Sequence, residues 1–589
     1  MSWFIARSKR IRLLALGCVF CLVAAACSSS VDSEFSASDD SNSQDSVDQT
    51  NEADSSELDT SGAGAPPPAL AFVDDPKTLR ISLPRLDFVA PHLVDETDPV
   101  QVLVTDLLSD GLTVSESTTG IMLPGIASEW STSSNGLIWT FVLGDSTFGD
   151  GTPITADDVV VSLNRVAAQG INSISGPNLW PIQGWTTTAA DDSGILRVPG
   201  VVALNDSTVE ITLDEPFAPL AEVLSGVAFG IWPADVDAAS ANDSDLPISS
   251  AVDFVPTELW ADGVRLELDQ PIGGEASTIE LFVDPTNSML DAGETDMAAS
   301  IDPGDELAEG IRGVAVPRSA EAYFGMNADI APFDDPLIRQ AVVRAIDRDE
   351  VRNEFFPTAG VQHDLVAQPI LGVPFDACGD NCGFDIEQAT LLVEASPSRE
   401  VAFTVDYFAD FASDDVADAA NSVDGAANNA GANADDSEQR LAESIAAQLR
   451  AIGLDATARG HDPAEYGARV GNGELGLFRF GSVTTLLAPD AQIGTRFHTA
   501  GRDNLTATSI DRVDDLIEEA RRESDADARA ELYSQAELAL LGEAVVLPLV
   551  EFRHHLAHGP TLIAAGLEPD GSLDLAVIEF APAVAADDE

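Results

Sequence analysis

Residues 126–166 combine a turn, a strand and a helix in an order that narrows what this chain can fold into. Asn135-Gly136 precedes the strand, and an Asn-Gly pair supplies the positive φ of a tight hairpin turn. Apolar and polar residues then alternate with a period of two, which predicts a strand with one buried face. That face carries Leu137, Trp139, Phe141 and Leu143. The segment therefore predicts a hairpin arm packed on a core.

A helix follows this arm, after a turn at residues 149–151. Thr155 can cap the first amides of the helix, and Asp157 and Asp158 lie in its first turn, where the helix dipole favours acids. An apolar stripe then recurs at helical spacing at Val159, Leu163 and Val166. Taken alone, these pieces fit a generic corner between a strand and a helix.

The order of residues in this segment is more specific than its turn, strand and helix taken separately. It reads A-S-E-W-x(5)-G-L-x-W-T-F-x-L and then F-x-D-G-T-P-I-T-A-D-D-V-V-x-S-L-x-R. It resembles the signature region of the family 5 solute-binding proteins, the dipeptide and oligopeptide receptors of bacterial ABC importers. The resemblance implies an α/β, periplasmic-binding-protein-like fold that has two lobes with mixed sheets, hinge strands and a central cleft.

A second signature lies at residues 322–351. Residues 323–327 predict a strand, and the Pro- and Asp-rich residues 332–336 predict the start of a helix. The buried stripe of that helix is expected at Ile338, Ala341, Val342 and Ala345. In the family this segment crosses from the first domain into the third, which implies a hinge strand just before Asn327.

Length and the landmarks shared with the family imply several domains, because 589 residues are too many for one core. Domain I is expected to comprise residues 71–105, 225–325 and 545–585. The smaller domain II is expected at residues 106–224 and domain III at residues 326–544. Within domain III, residues 411–436 are rich in Ala, Asn and Asp without any period, so we expect a disordered surface insertion there.

Periodicity and family motifs place the remaining elements. Helical spacing predicts helices over residues 100–112, 437–454, 509–524 and 526–541, and residues 401–405 are expected to form a strand. Residues 545–549 match the strand that returns the chain to the first domain. One family motif is missing: residues 250–254 read S-A-V-D-F where relatives have G-T-G-P-Y. In the family this turn forms part of the pocket wall, so the sequence does not define the geometry of that wall here.

The N-terminus has the composition of an export signal. A basic stretch precedes a short apolar run, so residues 1–26 are expected to be a signal peptide. Ala24-Ala25-Ala26-Cys27 resembles a lipobox, which would leave Cys27 acylated; conventional cleavage of an A-x-A site is the alternative. Residues 27–70 are Ser-, Asp- and Glu-rich with few apolar residues, which predicts a disordered acidic tether.

Two cysteines remain beyond the signal and Cys27. Cys378 and Cys382 lie close together in a Gly- and Asp-rich stretch, and outside the cytoplasm such a pair is most simply a disulfide. A tetrahedral metal site would need further ligands, and no His or Cys lies near the pair in sequence. We therefore expect a structural disulfide and no metal.

Composition argues against several classes of partner and enzyme. With 100 acids against 29 bases, the formal charge is -71, so phosphate-rich partners such as nucleic acid or an anionic membrane surface are unfavourable. The only lysines are Lys9 and Lys77. This excludes a P-loop lysine, a Ser-x-x-Lys nucleophile pair and a Schiff-base lysine inside the fold. His554, His555 and His558 match no H-E-x-x-H motif, and we expect them in a surface turn.

The residues around Phe480 bear on the ligand. In peptide-binding relatives this region reads G-W-x-x-D and then D-P, with the Asp meeting the peptide amino group and the Trp walling the pocket. Anchored on Pro489-Asp490, Gly481 matches the Gly, Ser482 replaces the Trp and Thr485 replaces the Asp. A hydroxyl cannot pair with an ammonium group, so a free peptide N-terminus is less favoured here. A shifted register would instead offer Asp490.

The resemblance implies a binding protein that is not an enzyme and needs no cofactor. We expect a monomeric receptor, lipid-anchored to the outside of the cell membrane, that captures a peptide or similar small solute and delivers it to an ABC permease. A receptor for a saccharide or metal chelate, or a surface protein that senses or assists folding, are the alternatives; a hydrolase ranks below them. Family position suggests the ligand-binding residues Phe88, Asp110, Trp180, Asn327, Phe480, Gly481, Ser482, Thr485 and Asp490.

Overall fold

The largest sheet of the protein is built around two long neighbouring strands, Arg312–Met326 and Val546–His558. They are antiparallel, and Phe324 pairs with Leu547 near one end while Arg312 pairs with His558 at the other. The computed structural model describes residues 77–115, 121–170, 173–186, 197–236, 249, 254–260, 262–268, 276–304, 306–366, 377–409, 434–575 and 577–582. The predicted signal, Cys27 and tether, as well as most of the predicted insertion, lie outside them.

The strands of the described residues are numbered in chain order. They are β1 Lys77–Leu83, β2 Thr113–Ser115, β3 Met122–Pro124, β4 Ala127–Thr132, β5 Ile138–Leu143, β6 Val201–Asn205, β7 Thr208–Thr212, β8 Phe254–Trp260, β9 Gly263–Leu268, β10 Ala276–Val283, β11 Met297–Ala298, β12 Arg312–Met326, β13 Gly360–Val361, β14 Phe403–Phe408, β15 Ala456–His461, β16 Leu477–Val483, β17 Val546–His558, β18 Leu562–Ala564 and β19 Glu579–Phe580.

The α-helices of the described residues are numbered in the same way. They are α1 Pro99–Leu108, α2 Ala156–Gln169, α3 Leu220–Val223, α4 Ser288–Asp291, α5 Pro336–Ala345, α6 Arg348–Phe355, α7 Ile386–Ala395, α8 Ala434–Ala451, α9 Pro463–Gly471, α10 Pro489–Gln492, α11 Gly494–Phe497, α12 Asp511–Ala520 and α13 Ala526–Gly542. In the part of the chain that the structure describes, none of them is both long and apolar enough to cross a membrane.

Strands from the predicted domains I and III share one mixed sheet. Its order is β15-β14-β16-β12-β17-β11-β1-β10-β9-β8, and β13 pairs with β17. β1 is parallel to β10 and β11, whereas β12 is antiparallel to both β16 and β17. The long strands β12 and β17 therefore connect the two ends of the sheet. The division into three domains stays a prediction.

A separate four-stranded sheet, β4-β5-β7-β6, lies in the region predicted as domain II. Its hairpin turn has Gly136 at φ +72°, and β5 buries Trp139, Phe141 and Leu143, as the alternation predicts. Helix α2 packs on this sheet through its predicted apolar stripe. Asp158 accepts hydrogen bonds from the backbone and side chain of Thr155 at the start of that helix, which fixes where it begins.

Several elements differ from their predicted bounds; α12, for example, spans Asp511–Ala520 and not residues 509–524. Helix α1 ends at Leu108 and not at residue 112, because Ser109 is extended and its hydroxyl donates back to the Thr105 carbonyl. Helix α8 begins at Ala434, three residues before its predicted start, within the predicted insertion. Strand β14 is shifted to Phe403–Phe408 from the expected residues 401–405.

The expectation that the three C-terminal histidines form a surface turn is wrong. Strand β17 continues to His558, because β12 and β11 pair with it along that length. His554 and His558 are buried, and their rings face the carbonyl oxygens of Pro569 and Gly559. Burial, followed by the charge of Arg318, lowers the pKa of His554 to about 3. A neutral imidazole with a carbonyl partner can be buried at low cost.

Candidate functional site

The segment that follows β16 leaves the large sheet and enters the core of the smaller one. The Thr484 amide still donates to the Ser319 carbonyl on β12. Beyond it, Leu486, Ala488 and Ala491 are buried among the apolar side chains of the four-stranded sheet. Residues 484–491 therefore pack the predicted domain III against the predicted domain II, at the place where sequence alignment put the ligand.

A buried carboxyl group joins three distant segments at this place. The Glu96 Oε1 atom accepts a hydrogen bond from the Ser175 amide at 3.0 Å, and its Oε2 atom accepts one from Thr485 Oγ1 at 2.7 Å and one from the Ser175 hydroxyl. Glu96 retains only 4% of its exposure. We call Glu96, Ser175 and Thr485 the Glu96 junction. Its members come from the predicted domains I, II and III, respectively.

The environment of Glu96 is unusual for a carboxyl group. Burial raises the pKa of Glu96, while the hydrogen bonds from Ser175 and Thr485 work in the opposite direction. Within the described residues, its partners are hydroxyl and amide donors, and no Arg, Lys or His forms an ion pair with it. A group of this kind stabilises an added positive charge, because a cation beside a buried carboxylate offsets its desolvation.

A second buried carboxyl group lies next to the junction, on β12. Glu321 is paired in register with Ser482 on β16, and the Ser482 hydroxyl donates to Glu321 Oε2 at 2.8 Å. Arg496 Nη1 lies 3.9 Å from the same oxygen. Burial raises the pKa of Glu321 to about 7, with Arg496 and the Ser482 hydrogen bond opposing the shift. Ser482 thus faces an acid where relatives are expected to have a tryptophan.

Two other predicted residues of β16 have roles in packing. The Phe480 ring meets the Tyr323 ring edge-on, with centroids 5.5 Å apart. A Cβ atom on Gly481 would lie 2.6 Å from the Glu321 carbonyl oxygen, so the closeness of β12 requires glycine at this position. Both residues therefore pack β16 against β12.

Asp490 does not offer an unpaired acid. Its Oδ1 atom is 2.7 Å from Arg521 Nε and accepts a hydrogen bond from the Tyr533 hydroxyl at 2.9 Å. Arg521 in turn lies over the Trp180 ring, 5.2 Å from its centroid. The charge of Asp490 is therefore compensated inside the protein. The alternative alignment, in which Asp490 pairs with the amino group of a ligand, has no geometric support.

A chamber of about 700 Å³ opens beside Trp180 and Arg521. One wall comes from the predicted domain II, including Trp180, Trp185 and Glu215, and the other from the predicted domain III, including Gly494 and His498. Its volume lies within the range of small-molecule sites in proteins. The structure thus leaves room for a solute between the two regions.

The remaining predicted positions lie apart from the junction. Asn327 follows the far end of β12, six residues along the chain from Glu321, and its side chain bonds with Gly473 and Asp329. Phe88 packs against the core around β1. Asp110 is buried, and its carbonyl oxygen accepts a hydrogen bond from the Ile231 amide.

Sequence reasoning missed five residues of the site, namely Glu96, Ser175, Glu321, Arg496 and Arg521. The two acids were not selected because acids are too frequent in this chain for one to stand out, and the other three lie in no motif. Glu96 could have been selected by its position in the loop after β1, since loops at the carboxyl ends of parallel strands often carry binding residues.

Cys378 and Cys382 are joined by a disulfide bond, as the sequence predicts. Both are buried in the largest core, beside α5 and α7. Among the described residues, no group of three or more His, Cys, Asp or Glu side chains could hold a metal ion. Cys27 and the residues of the missing family motif before Phe254 lie outside the described ranges.

Comparison with known proteins identifies a sequence family. The family model described as bacterial extracellular solute-binding proteins, family 5 Middle, matches residues 122–256 and 281–504. The chain is 24% identical to the dipeptide-binding protein of Escherichia coli K12 over 455 residues, covering 72% of this chain and 80% of that protein. It is also 24% identical to heme-binding protein A of Haemophilus influenzae, covering 72% and 78% of the two chains.

Solved structures show the same fold. HbpA2 from Haemophilus parasuis superposes with a TM-score of 0.66 at 19% identity, over 86% of this chain and all of the other. DppA from Helicobacter pylori, in complex with the peptide STSA, gives a TM-score of 0.56 at 19% identity, over 86% and 98%. These likenesses confirm the two-lobed α/β fold of periplasmic binding proteins that the sequence predicts.

Proposed function

The chain belongs to the bacterial extracellular solute-binding proteins of family 5, and from that premise we propose that it is the receptor of an ABC-type importer for a small solute with an amino group, such as a short peptide. The family consists of binding proteins, not enzymes. The solute binds between the lobes, its higher affinity for the closed form shifts the equilibrium towards closure, and the permease recognises the closed shape.

The Glu96 junction is the observation that supports an amino-bearing solute. Thr485 stands where peptide-binding relatives are expected to have an acid, and it lies 2.7 Å from the Glu96 carboxyl group. Glu96 therefore supplies the negative charge from another segment of the chain. A solute ammonium group has three donors, which suit Glu96 and the neighbouring hydroxyl oxygens.

Hinge closure has a structural basis in the large sheet. The strands β12 and β17 connect the two groups of strands that we assign to domains I and III. β12 ends at Met326, just before the segment that the family resemblance implies as a hinge. Rotation about these strand ends would separate Thr485 from Glu96 and Ser175, and so open the junction to solvent.

The proposal includes the location of the protein. We propose that Cys27 carries the lipid, that residues 27–70 tether the body to the outer face of the cell membrane, and that the receptor is a monomer. The signal and the tether are supported by the sequence alone: a basic and then apolar N-terminus, an A-A-A-C cleavage motif and an acidic stretch with few apolar residues.

Calorimetric titration of the exported protein tests the proposal. A pool of short peptides is compared with the same peptides acetylated at the N-terminus, which removes the positive charge and leaves the side chains unchanged. We expect binding to the free peptides, at least about tenfold weaker binding after acetylation, and a similar loss in Glu96→Gln. The variant Glu387→Gln changes an exposed carboxylate of α7 that lines neither the junction nor the chamber, and serves as the control.

Other results would redirect the assignment. Equal affinity for free and acetylated peptides would contradict the role of Glu96. Binding of saccharides or metal chelates without any binding of peptides would identify a non-peptide receptor of the same family. Conversion of the ligand into another product would overturn the binding function itself.

A further inference from the structure

A cavity of about 760 Å³ lies mostly in the region predicted as domain I, and Asp95 and Thr97, which flank Glu96 in sequence, line it. Pro84, Asp284 and Ala299 line it, and each directly follows one of the parallel strands β1, β10 and β11. The carboxyl edge of parallel strands is where open α/β sheets commonly bind ligands. None of Glu96, Ser175 and Thr485 lines this cavity.

Arg318 is a cation of this cavity that has an incomplete set of partners. Its Nη2 atom donates to the Thr97 carbonyl oxygen at 2.6 Å. Among the described residues no carboxylate forms an ion pair with Arg318, although Asp95 attracts it over a longer distance. Burial lowers the pKa of Arg318 to about 10, with Asp95 opposing, so the guanidinium stays charged at neutral pH. In the part of the chain that the structure describes, its other N–H groups make no hydrogen bond and can therefore serve a ligand.

The other two arginines of the cavity are already paired. Arg85 forms ion pairs with Asp87 and Asp98, and Arg553 lies 3.3 Å from Glu551. Within the described residues, Arg318 differs from these two arginines because it contacts a backbone carbonyl and no acid. Arg318 is therefore the one we examine as a ligand partner.

The acids that line the cavity are held by their own loops. Asp284 accepts hydrogen bonds from the Thr286 amide and hydroxyl, the Ser288 hydroxyl and the Met289 amide. Asp98 caps α1 by accepting from the Val100 amide. Asp95 accepts from the Thr97 amide and hydroxyl, and Asp302 from the Gly304 amide. Their orientation towards local donors reduces their competition for the Arg318 guanidinium.

From these contacts we propose that the cavity is a second binding site, which takes a small solute through a carboxylate or phosphate group held by Arg318. Either oxyanion accepts two parallel hydrogen bonds from a guanidinium, a geometry that an ammonium group cannot offer. The cavity volume suits a small organic molecule. This site does not depend on the amino-bearing solute of the Glu96 junction.

Calorimetric titration of the exported protein with citrate, and separately with inorganic phosphate, tests this site. We expect at least one of them to bind, with affinity at least about tenfold lower in Arg318→Gln. Arg312→Gln removes an exposed arginine at the start of the same strand and should leave the affinity unchanged. Arg318→Lys keeps the positive charge without the two-pronged geometry, and should give an intermediate loss if Arg318→Gln fails to fold.

The two probes and the junction variant separate the possible outcomes. Binding of citrate alone assigns a carboxylate ligand, and binding of phosphate assigns a phosphate ligand. Glu96→Gln should leave either titration unchanged, so failure of the peptide receptor proposal would not affect this one. No binding of either probe to the unmodified protein, or the same affinity in the Arg318 variants, would overturn the proposed site.

Discussion

The Oε2 atom of Glu96 accepts a hydrogen bond from Thr485 Oγ1 at 2.7 Å, across 389 residues of sequence. Ser175 completes the contact from a third segment. This arrangement places a buried acid at the point where three predicted domains meet. Under the proposed function, Glu96 supplies the carboxyl group that a chain with a hydroxyl at position 485 lacks there.

Thr485→Val tests the energetic role of the junction. The substitution removes the hydroxyl donor to buried Glu96 at similar volume, so we expect the free energy of unfolding to fall by about 1–3 kcal/mol. Chemical denaturation measures it. Thr499→Val alters an exposed threonine and should change stability by less than about 0.5 kcal/mol. Equal effects of the two substitutions would contradict the role assigned to Thr485.

Stability should fall as the pH rises towards 8. Burial, followed by the charge of Asp364, raises the pKa of Glu537 to about 8, and burial raises that of Glu321 to about 7, both from 4.5. The folded protein therefore binds more protons than the unfolded chain between these values, so the stabilisation is complete below pH 4.5 and is lost through the folded pKa values.

Denaturation measured between pH 5 and pH 9 tests this pH dependence. Glu537→Gln removes one of the titrating groups and should flatten the decline of the unfolding free energy. Gln535→Ala, on the same helix α13, has no titrating group and should retain the decline. A decline that is unaltered in Glu537→Gln would refute the assignment.

Arg529→Met tests a buried ion pair between the two lobes. Arg529 on α13 contacts Glu222 of the predicted domain II, and their side chains are only 9% and 11% exposed. Loss of one partner leaves a buried carboxyl group without its cation, so we expect a loss of about 3–5 kcal/mol in the free energy of unfolding. The double variant Glu222→Gln and Arg529→Met should recover part of that loss.

An exposed pair is the matched control for that experiment. Arg522 Nη2 lies 3.0 Å from Glu518, with side chains 58% and 47% exposed. Because solvent screens this pair, Arg522→Met should cost no more than about 1 kcal/mol. If both arginine variants lose the same stability in urea denaturation, burial does not set the strength of the Glu222–Arg529 pair.

Gly481→Ala tests how closely β16 approaches β12. The added Cβ atom would lie 2.6 Å from the Glu321 carbonyl oxygen, which is backbone and cannot move aside easily. We expect a loss of about 1–3 kcal/mol, measured by thermal unfolding. Gly467→Ala is the control: its Cβ meets no atom within 4 Å on helix α9, so alanine should stabilise by about 0.5–1 kcal/mol.

The elements around Trp139 and Val159 were predictable because their signals are local. Alternation over a few residues gave the buried face of β5, and the Thr155–Asp158 pair gave the start of α2. The end of α1 was predicted too late, because the Ser109 side chain bonds back to Thr105 and stops the helix before its apolar pattern ends. Local patterns are reliable where local contacts decide the structure.

The histidines show the opposite case. The apolar run before His554 suggested that β17 ends early, but pairing with β12 carries the strand through His558. The carbonyl oxygen of Pro569 that faces His554 comes from a segment fifteen residues away. Whether a polar side chain is buried thus depended on partners that the local sequence does not specify.

By itself, the sequence determined the family, the two-lobed fold and several helices and strands, since hydrophobic periodicity, turn pairs and caps act over a few residues. Only the tertiary structure decided which of the many acids are functional candidates: it paired Asp490 with Arg521 and left Glu96 among hydroxyls and amides. The physical reason is that the state of a charge depends on its burial and its nearest partners, and both are set when distant segments meet.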